Sequence, residues 1–114
     1  MRKGVLRTIE GGRVGFMCPG CRDMHQVTIA GDRPWGFNGD YDRPTFTPSV
    51  LVTSTKIVRD EAGEWTGEWE RDASGNLIPT VCHSFVTDGQ ISFLTDCTHD
   101  LRGKVVPLRP FDKD

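Results

Sequence analysis

The chain has 114 residues, which fits a single domain over residues 1–114 with a modest core that a bound metal would help to staple. Lys and Arg number 14 against 16 Asp and Glu, a net charge of −2 without a long block of either sign. That excludes the basic stripe on which a nucleic-acid-binding surface depends. No apolar run approaches a membrane span and the N-terminal MRKGVLRTIEGG lacks the apolar stretch of an export signal, so we expect a cytoplasmic protein with four cysteines serving as thiols or metal ligands rather than disulfides.

Val5 to Glu10 and Arg13 to Met17 read as strands joined at Gly11-Gly12. In the FMCPGCRDMHQVTI that follows, Cys18 and Cys21 bracket Pro19-Gly20, a tight turn between apolar strand ends. A turn of this kind aims both sulfurs at one point, as in a zinc knuckle. Residues 31–48 are dense in Gly, Pro, Asp and Asn and read as an ordered loop, with Trp35, Phe37, Tyr41 and Phe46 available to pack it down. Pro44 and Pro48 hold the residues before them extended. Ser49 to Val52 then enter a strand, which puts Ser49 where the loop meets it. Residues 59–76 are acidic and punctuated by glycine, with Trp65 and Trp69 as their large apolar side chains, and are expected to form an exposed, mobile flap or hairpin. Leu77 to Val81 lead into a central hairpin, Thr98 to Gly103 are expected to form one helical turn, and Lys104 to Leu108 a last strand. No internal repeat is apparent. The expected fold is a mostly β, antiparallel single domain with a zinc knuckle and little helix.

The central stretch, VCHSFVTDGQISFLTDCTH from Val81 to His99, holds two of the four cysteines and two of the three histidines. Asp88-Gly89 between runs of β-branched and aromatic residues signals a two-residue hairpin turn, because glycine tolerates the positive φ that a type I′ turn needs. Thr87 then faces Gln90, Cys82 faces Thr95 and His83 faces Leu94. Since side chains alternate, Cys82, Val86, Ile91, Phe93 and Cys97 share one face, and His83, Phe85, Ser92 and Asp96 the other. Cys82 with Cys97, and His83 with Asp96, become diagonal neighbours with backbones roughly 7 Å apart, a gap that side chains or an ion can bridge.

Two kinds of chemistry follow from that sorting. Cys18, Cys21, Cys82 and Cys97 are the expected ligands of a structural zinc; His25 or His99 are substitutes for one sulfur, and a redox pair or unrelated buried thiols are the rival readings. Four sulfurs close the coordination sphere to water, which argues against a catalytic metal. Ser49, His83 and Asp96 have the residue types of nucleophile, base and orienting acid. Alternatively, Ser49 bonds backbone near Pro48, His83 belongs to the metal shell, and Asp40 either orients the histidine or makes an Asx turn.

FMCPGCRDMH, WGFNG followed by RPTFTPS, and CHSFVTDGQISFLTDCTHDLRGKVVPL together resemble a family of small phage and prophage proteins of unknown function, often labelled ammonia monooxygenase. That label has no membrane span or histidine-rich copper site to rest on here. The broader family is similar to BubE, the peptidase-like component of bacterial ubiquitin-like operons. The resemblance implies a zinc-stabilised β domain acting as a serine peptidase that trims the C-terminus of a ubiquitin-like protein, with Ser49 as nucleophile and His83 as base; Asp96 is added from the hairpin register. The operon-linked relatives have a denser CPCGC pattern, so with CPGC here one ligand must come from elsewhere, and Cys97 is the natural supplier. The second expectation, of a different class, is a non-catalytic zinc-binding module that docks a phage or host protein through its tryptophans.

Overall fold

The computed structural model describes residues 2–111, which form eleven strands, all paired antiparallel, and no helix. In chain order these are β1 (Arg2–Lys3), β2 (Leu6–Ile9), β3 (Arg13–Cys18), β4 (Asp23–Thr28), β5 (Gly36–Phe37), β6 (Phe46–Thr55), β7 (Ile57–Arg59), β8 (Trp65–Trp69), β9 (Pro79–Thr87), β10 (Gln90–Phe93) and β11 (Val105–Pro107). Among the described residues there is no helix long and apolar enough to cross a membrane. The first four strands make a meander, β1-β2-β3-β4; a second sheet runs β11-β10-β9-β6-β5; β7 and β8 pair on their own.

Alternation along the strands builds one core between the two larger sheets. Leu6, Val14, Phe16 and Val27 of the meander and Phe46, Val50, Val86, Ile91 and Phe93 of the second sheet are all buried. Phe16 stacks on Phe46 with ring centroids 6.2 Å apart, and Phe46 on Phe37 at 5.2 Å, so aromatic area carries the contact from sheet to sheet and on to the loop.

The central hairpin has the register read from the sequence: Thr87 pairs with Gln90, Val86 with Ile91 and Phe85 with Ser92. Asp88 (φ 52°) and Gly89 (φ 79°) both adopt positive φ, as a type I′ turn demands. The turn is docked rather than free, because Gly89 N–H donates to Pro44 O at 2.9 Å and the Arg43 guanidinium meets the Asp88 carboxylate at 2.7 Å. These contacts also fix the aromatic loop, in which Asp40 Oδ1 accepts from Asp42 N and Arg43 N. Asp40 is therefore an Asx-turn residue, the second of its two expected roles.

The strand expected to begin at Ser49 begins at Phe46, because the short edge strand β5 pairs Gly36 with Thr47 and Phe37 with Phe46. Against β9 the ladder slips: Phe46 pairs with Val86, but the next pair is Val50 with Ser84. Four steps on β6 thus match two on β9, and Thr47, Pro48 and Ser49 bulge out of register. Proline, which has no N–H for a ladder, is at home in such a bulge.

Residues 59–76 are mostly exposed, as their polarity suggests, but they hold a repeat that composition hides. Arg59-Asp60-Glu61-Ala62-Gly63 and Arg71-Asp72-Ala73-Ser74-Gly75 build the same turn twice. Asp60 Oδ1 accepts from Ala62 N and Glu64 N, Asp72 Oδ1 from Ser74 N and Asn76 N, and each arginine donates Nη1 to the carbonyl of its own turn's glycine. Arg59 Nη2 also reaches Cys21 O and Asp23 Oδ2, each at 3.2 Å, tying the flap to the knuckle. Finally, Thr98 to Gly103 form successive turns, with no helical element. Arg102 N donates to His99 O at 3.3 Å and Lys104 N to Leu101 O at 3.0 Å, while Gly103 N returns to Phe93 O at 2.9 Å and ends the coil.

Candidate functional site

Ser49 and His83 lie 34 positions apart in the chain, and the bulge brings them together. Leu51 pairs directly with His83, so Ser49, two positions earlier on the same face, is a diagonal neighbour of the histidine. The result is Ser49 Oγ 2.9 Å from His83 Nε2. On the other side of the ring His83 Nδ1 is 3.1 Å from Asp96 Oδ2. A carboxylate only accepts, so in the neutral imidazole this arrangement favours the proton on Nδ1 and leaves Nε2 to accept from the serine hydroxyl. Both distances lie within the reach that a nucleophile, its base and the group orienting that base require. The His83 side chain is 26% exposed and Asp96 56%, so the chain of contacts opens to solvent on the outer face of the second sheet.

One position away on β9, Cys82 points the opposite way, into the core. Its Sγ is 3.7 Å from Cys18 Sγ, which joins the two sheets through sulfur. Cys18, Cys21, Cys82 and a ring nitrogen of His99 lie within 4.8 Å of one another, a set that could hold a metal ion. The CPGC turn folds Cys21 back so that its N–H donates to Cys18 Sγ at 3.4 Å. His99 closes over that turn: a methyl on Gly20 would overlap its imidazole, so only glycine fits there. Its ring stands edge-on to Phe93 at 4.4 Å, and Leu101 N–H reaches Nδ1 at 3.2 Å and orients it.

The donors fit a metal on their own chemistry. His99 Nε2 is buried with no hydrogen-bond partner, a cost that metal ligation by the ring would remove. The three thiols compete for protons: Cys21 and Cys82 donate toward Cys18 and hold it far below the usual thiol range, while the same bond pushes Cys21 up to about 12 and Cys82 higher still, with burial adding to both. A cation relieves that competition by replacing the protons.

Cys97, expected as the fourth ligand, lies outside this cluster; His99, the alternative, occupies the corner. The reason is the chain after Phe93, which leaves the ladder and turns. Leu94 N still donates to His83 O at 2.9 Å, but beyond it side chains take over from backbone. Cys97 Sγ accepts from His83 N and donates to His83 O, both at 3.2 Å. Thr98 does the same for the next outward residue, its Oγ1 accepting from Val81 N at 3.0 Å while its N–H donates to Val81 O at 2.9 Å. Asp96 is set beside His83 by these two anchors. His25 is buried against Phe16, ring centroids 5.6 Å apart, and is not a corner of the donor set.

The molecule is thus a small antiparallel β protein that carries a Ser–His–Asp chain of contacts on the outer face of one sheet and a Cys₃His donor set directly beneath it. The model of the family described as the bacterial ubiquitination-like system serine protease (BubE) matches residues 2–94, and the chain belongs to that family. Ser49, His83 and three of the four donors fall inside the match; Asp96 and His99 fall beyond it. No curated protein and no solved structure matches the chain.

Proposed function

We propose that this protein is a serine peptidase that removes residues from the C-terminus of a ubiquitin-like protein, and that its Cys₃His set holds a structural zinc. The observation that carries the reading is the 2.9 Å contact between Ser49 Oγ and His83 Nε2, made by two residues that meet because the β6 ladder slips. The family supports the polypeptide substrate and the ubiquitin-like system.

In this reading Ser49 Oγ attacks the scissile carbonyl as His83 Nε2 takes the hydroxyl proton, and Asp96 stabilises the imidazolium through Nδ1. Backbone N–H groups near Ser49 would have to supply the oxyanion hole. His83 returns the proton to the leaving amine, the C–N bond breaks, and an ester remains on Ser49. Water, deprotonated by His83, then hydrolyses the ester and restores the serine. Zinc would take no part in these steps: held by Cys18, Cys21, Cys82 and His99, it would cross-link β3, β9 and the segment after β10, and four protein donors would leave no position for water. Because Cys82 precedes His83 and His99 follows Asp96 by three residues, a bound ion would anchor both the strand that carries the base and the turn that carries its acid.

The test is labelling with a serine-reactive fluorophosphonate, followed by mapping of the modified residue. Label on Ser49 that Ser49→Ala abolishes supports the proposal; a folded, metal-loaded protein that takes no label sinks it. The second reading, a non-catalytic module, draws on Trp65 and Trp69, whose rings meet tilted at 5.0 Å and are 50% and 43% exposed, as a contact surface for a partner. It predicts no label and no cleavage.

A further inference from the structure

The outer face of the second sheet is apolar where it surrounds Ser49. Leu51 pairs with His83, Phe85 with Ser92, and Ser92 with Val105, and directly paired residues share a face. Leu51 is 57% exposed, Phe85 45% and Val105 58%. A lone exposed apolar side chain carries no message, but these three lie in two adjacent rows across one face, together with the Ser49–His83 pair. Of the other outward positions nearby, Thr53, Val81 and Ser92 carry no charge, and the carboxylate of Asp96 is engaged by His83.

Geometry then constrains what can lie there. A carbonyl carbon attacked by Ser49 Oγ must come within about 3–3.5 Å of it. The side chains next to that carbonyl lie one or two peptide steps away, at roughly 3.3 Å per step in an extended chain. Leu51 is two steps along β6 from Ser49, and Phe85 lies on β9 opposite the bulge that carries Ser49. A peptide that runs across this face as it is attacked brings a flanking side chain within reach of Leu51 or Phe85.

We infer that Leu51 and Phe85 form the specificity rim of the site and select a polypeptide with a large apolar side chain within two residues of the scissile bond. An acidic or basic side chain there would lose water without gaining a counter-charge from these two residues. This deepens the reading of Ser49 and His83 as nucleophile and base, and rests on it.

The experiment presents a mixed peptide library to the full-length, metal-loaded protein, sequences the cleaved ends by mass spectrometry, and measures kcat/KM on paired peptides carrying Leu or Gly at the enriched position. The wild type is expected to enrich apolar residues there and to favour Leu over Gly by about tenfold, the lower end of what a hydrophobic contact discriminates. In Leu51→Ser/Phe85→Ser the ratio should fall to within about twofold of unity, mainly through KM. Both side chains are already exposed, so the melting temperature reports whether the double variant stays folded. Equal rates for Leu and Gly in the wild type, a preference that survives in the double variant, or no peptide cleaved by a protein that labels at Ser49, each overturns the rim while leaving the nucleophile in place. Absence of label at Ser49 overturns the nucleophile and the rim together.

Discussion

Replacing His99 and Cys97 by alanine, one at a time, separates the two residues that compete for the fourth metal corner. A structural zinc in a small domain contributes roughly 10–16 kcal/mol of binding free energy, so losing one of four donors costs on the order of 3 kcal/mol, about a hundredfold in affinity, with more from the disrupted geometry. His99→Ala also removes the edge-on contact with Phe93 at 4.4 Å, worth about 0.5–1.5 kcal/mol. Cys97→Ala touches no donor. It strips His83 N–H of its Sγ acceptor, while His83 O keeps Leu94 N at 2.9 Å, so the cost is that of one unpaired buried group, about 1–3 kcal/mol. For a domain of this size that lowers the melting temperature by roughly 4–12 °C. Metal content by mass spectrometry and chelator-competition affinity, read beside thermal melts, provide the assay. The expected result is near-stoichiometric metal in Cys97→Ala and a marked loss in His99→Ala. If Cys97→Ala loses the metal and His99→Ala keeps it, the donor set drawn here is wrong. A third measurement sees the anchoring of His83: Cys97→Ser retains a donor and acceptor and should recover most of any fluorophosphonate reactivity that Cys97→Ala loses.

His83→Ala should slow labelling at Ser49 by about a hundredfold or more, since it removes the only base within reach of the hydroxyl among the described residues, while metal content stays unchanged. Gly20→Ala forces a methyl against the His99 imidazole, and titration of the variant should show weakened metal binding and a lowered melting temperature, although no donor has been altered. Metal affinity should fall as pH is lowered. Cys21, pushed up to about 12, and Cys82, raised further, hold protons at neutral pH in the metal-free protein, and the metal must displace both. Each displaced proton contributes about a factor of ten per pH unit, so two give up to about a hundredfold per unit, with tighter binding and greater stability at higher pH. A pH-independent affinity between 6 and 8, measured by competition with a chelator corrected for its own titration, would contradict this.

Much of this architecture was legible locally. Asp88-Gly89 between β-branched runs defined a hairpin and its register, and the register sent Cys82 inward and His83 outward; Asp96 lies past the last ladder pair, Phe93 with Ser84, and reaches the histidine because Cys97 and Thr98 hold the turn that follows. Pro19-Gly20 between two cysteines defined the knuckle. The twelve-residue spacing of the two Arg-Asp turns was equally present in the sequence, but the residues between their fixed positions differ, so composition concealed it.

The remainder required long-range packing. That Ser49 meets His83 depends on where β6 slips against β9, and strand pattern does not encode a slip between partners separated by a long excursion. The choice of His99 over Cys97 depends on how the chain turns after Phe93, where side chains replace a broken ladder. Cysteine parity along an ideal strand therefore pointed to a thiol that is instead bonded to the backbone of His83. Sequence by itself determined which residues share a face, because alternation is a property of each strand alone. Tertiary structure decided which faces meet and which donor completes the cluster, because both depend on the relative placement of elements that only the packed core fixes.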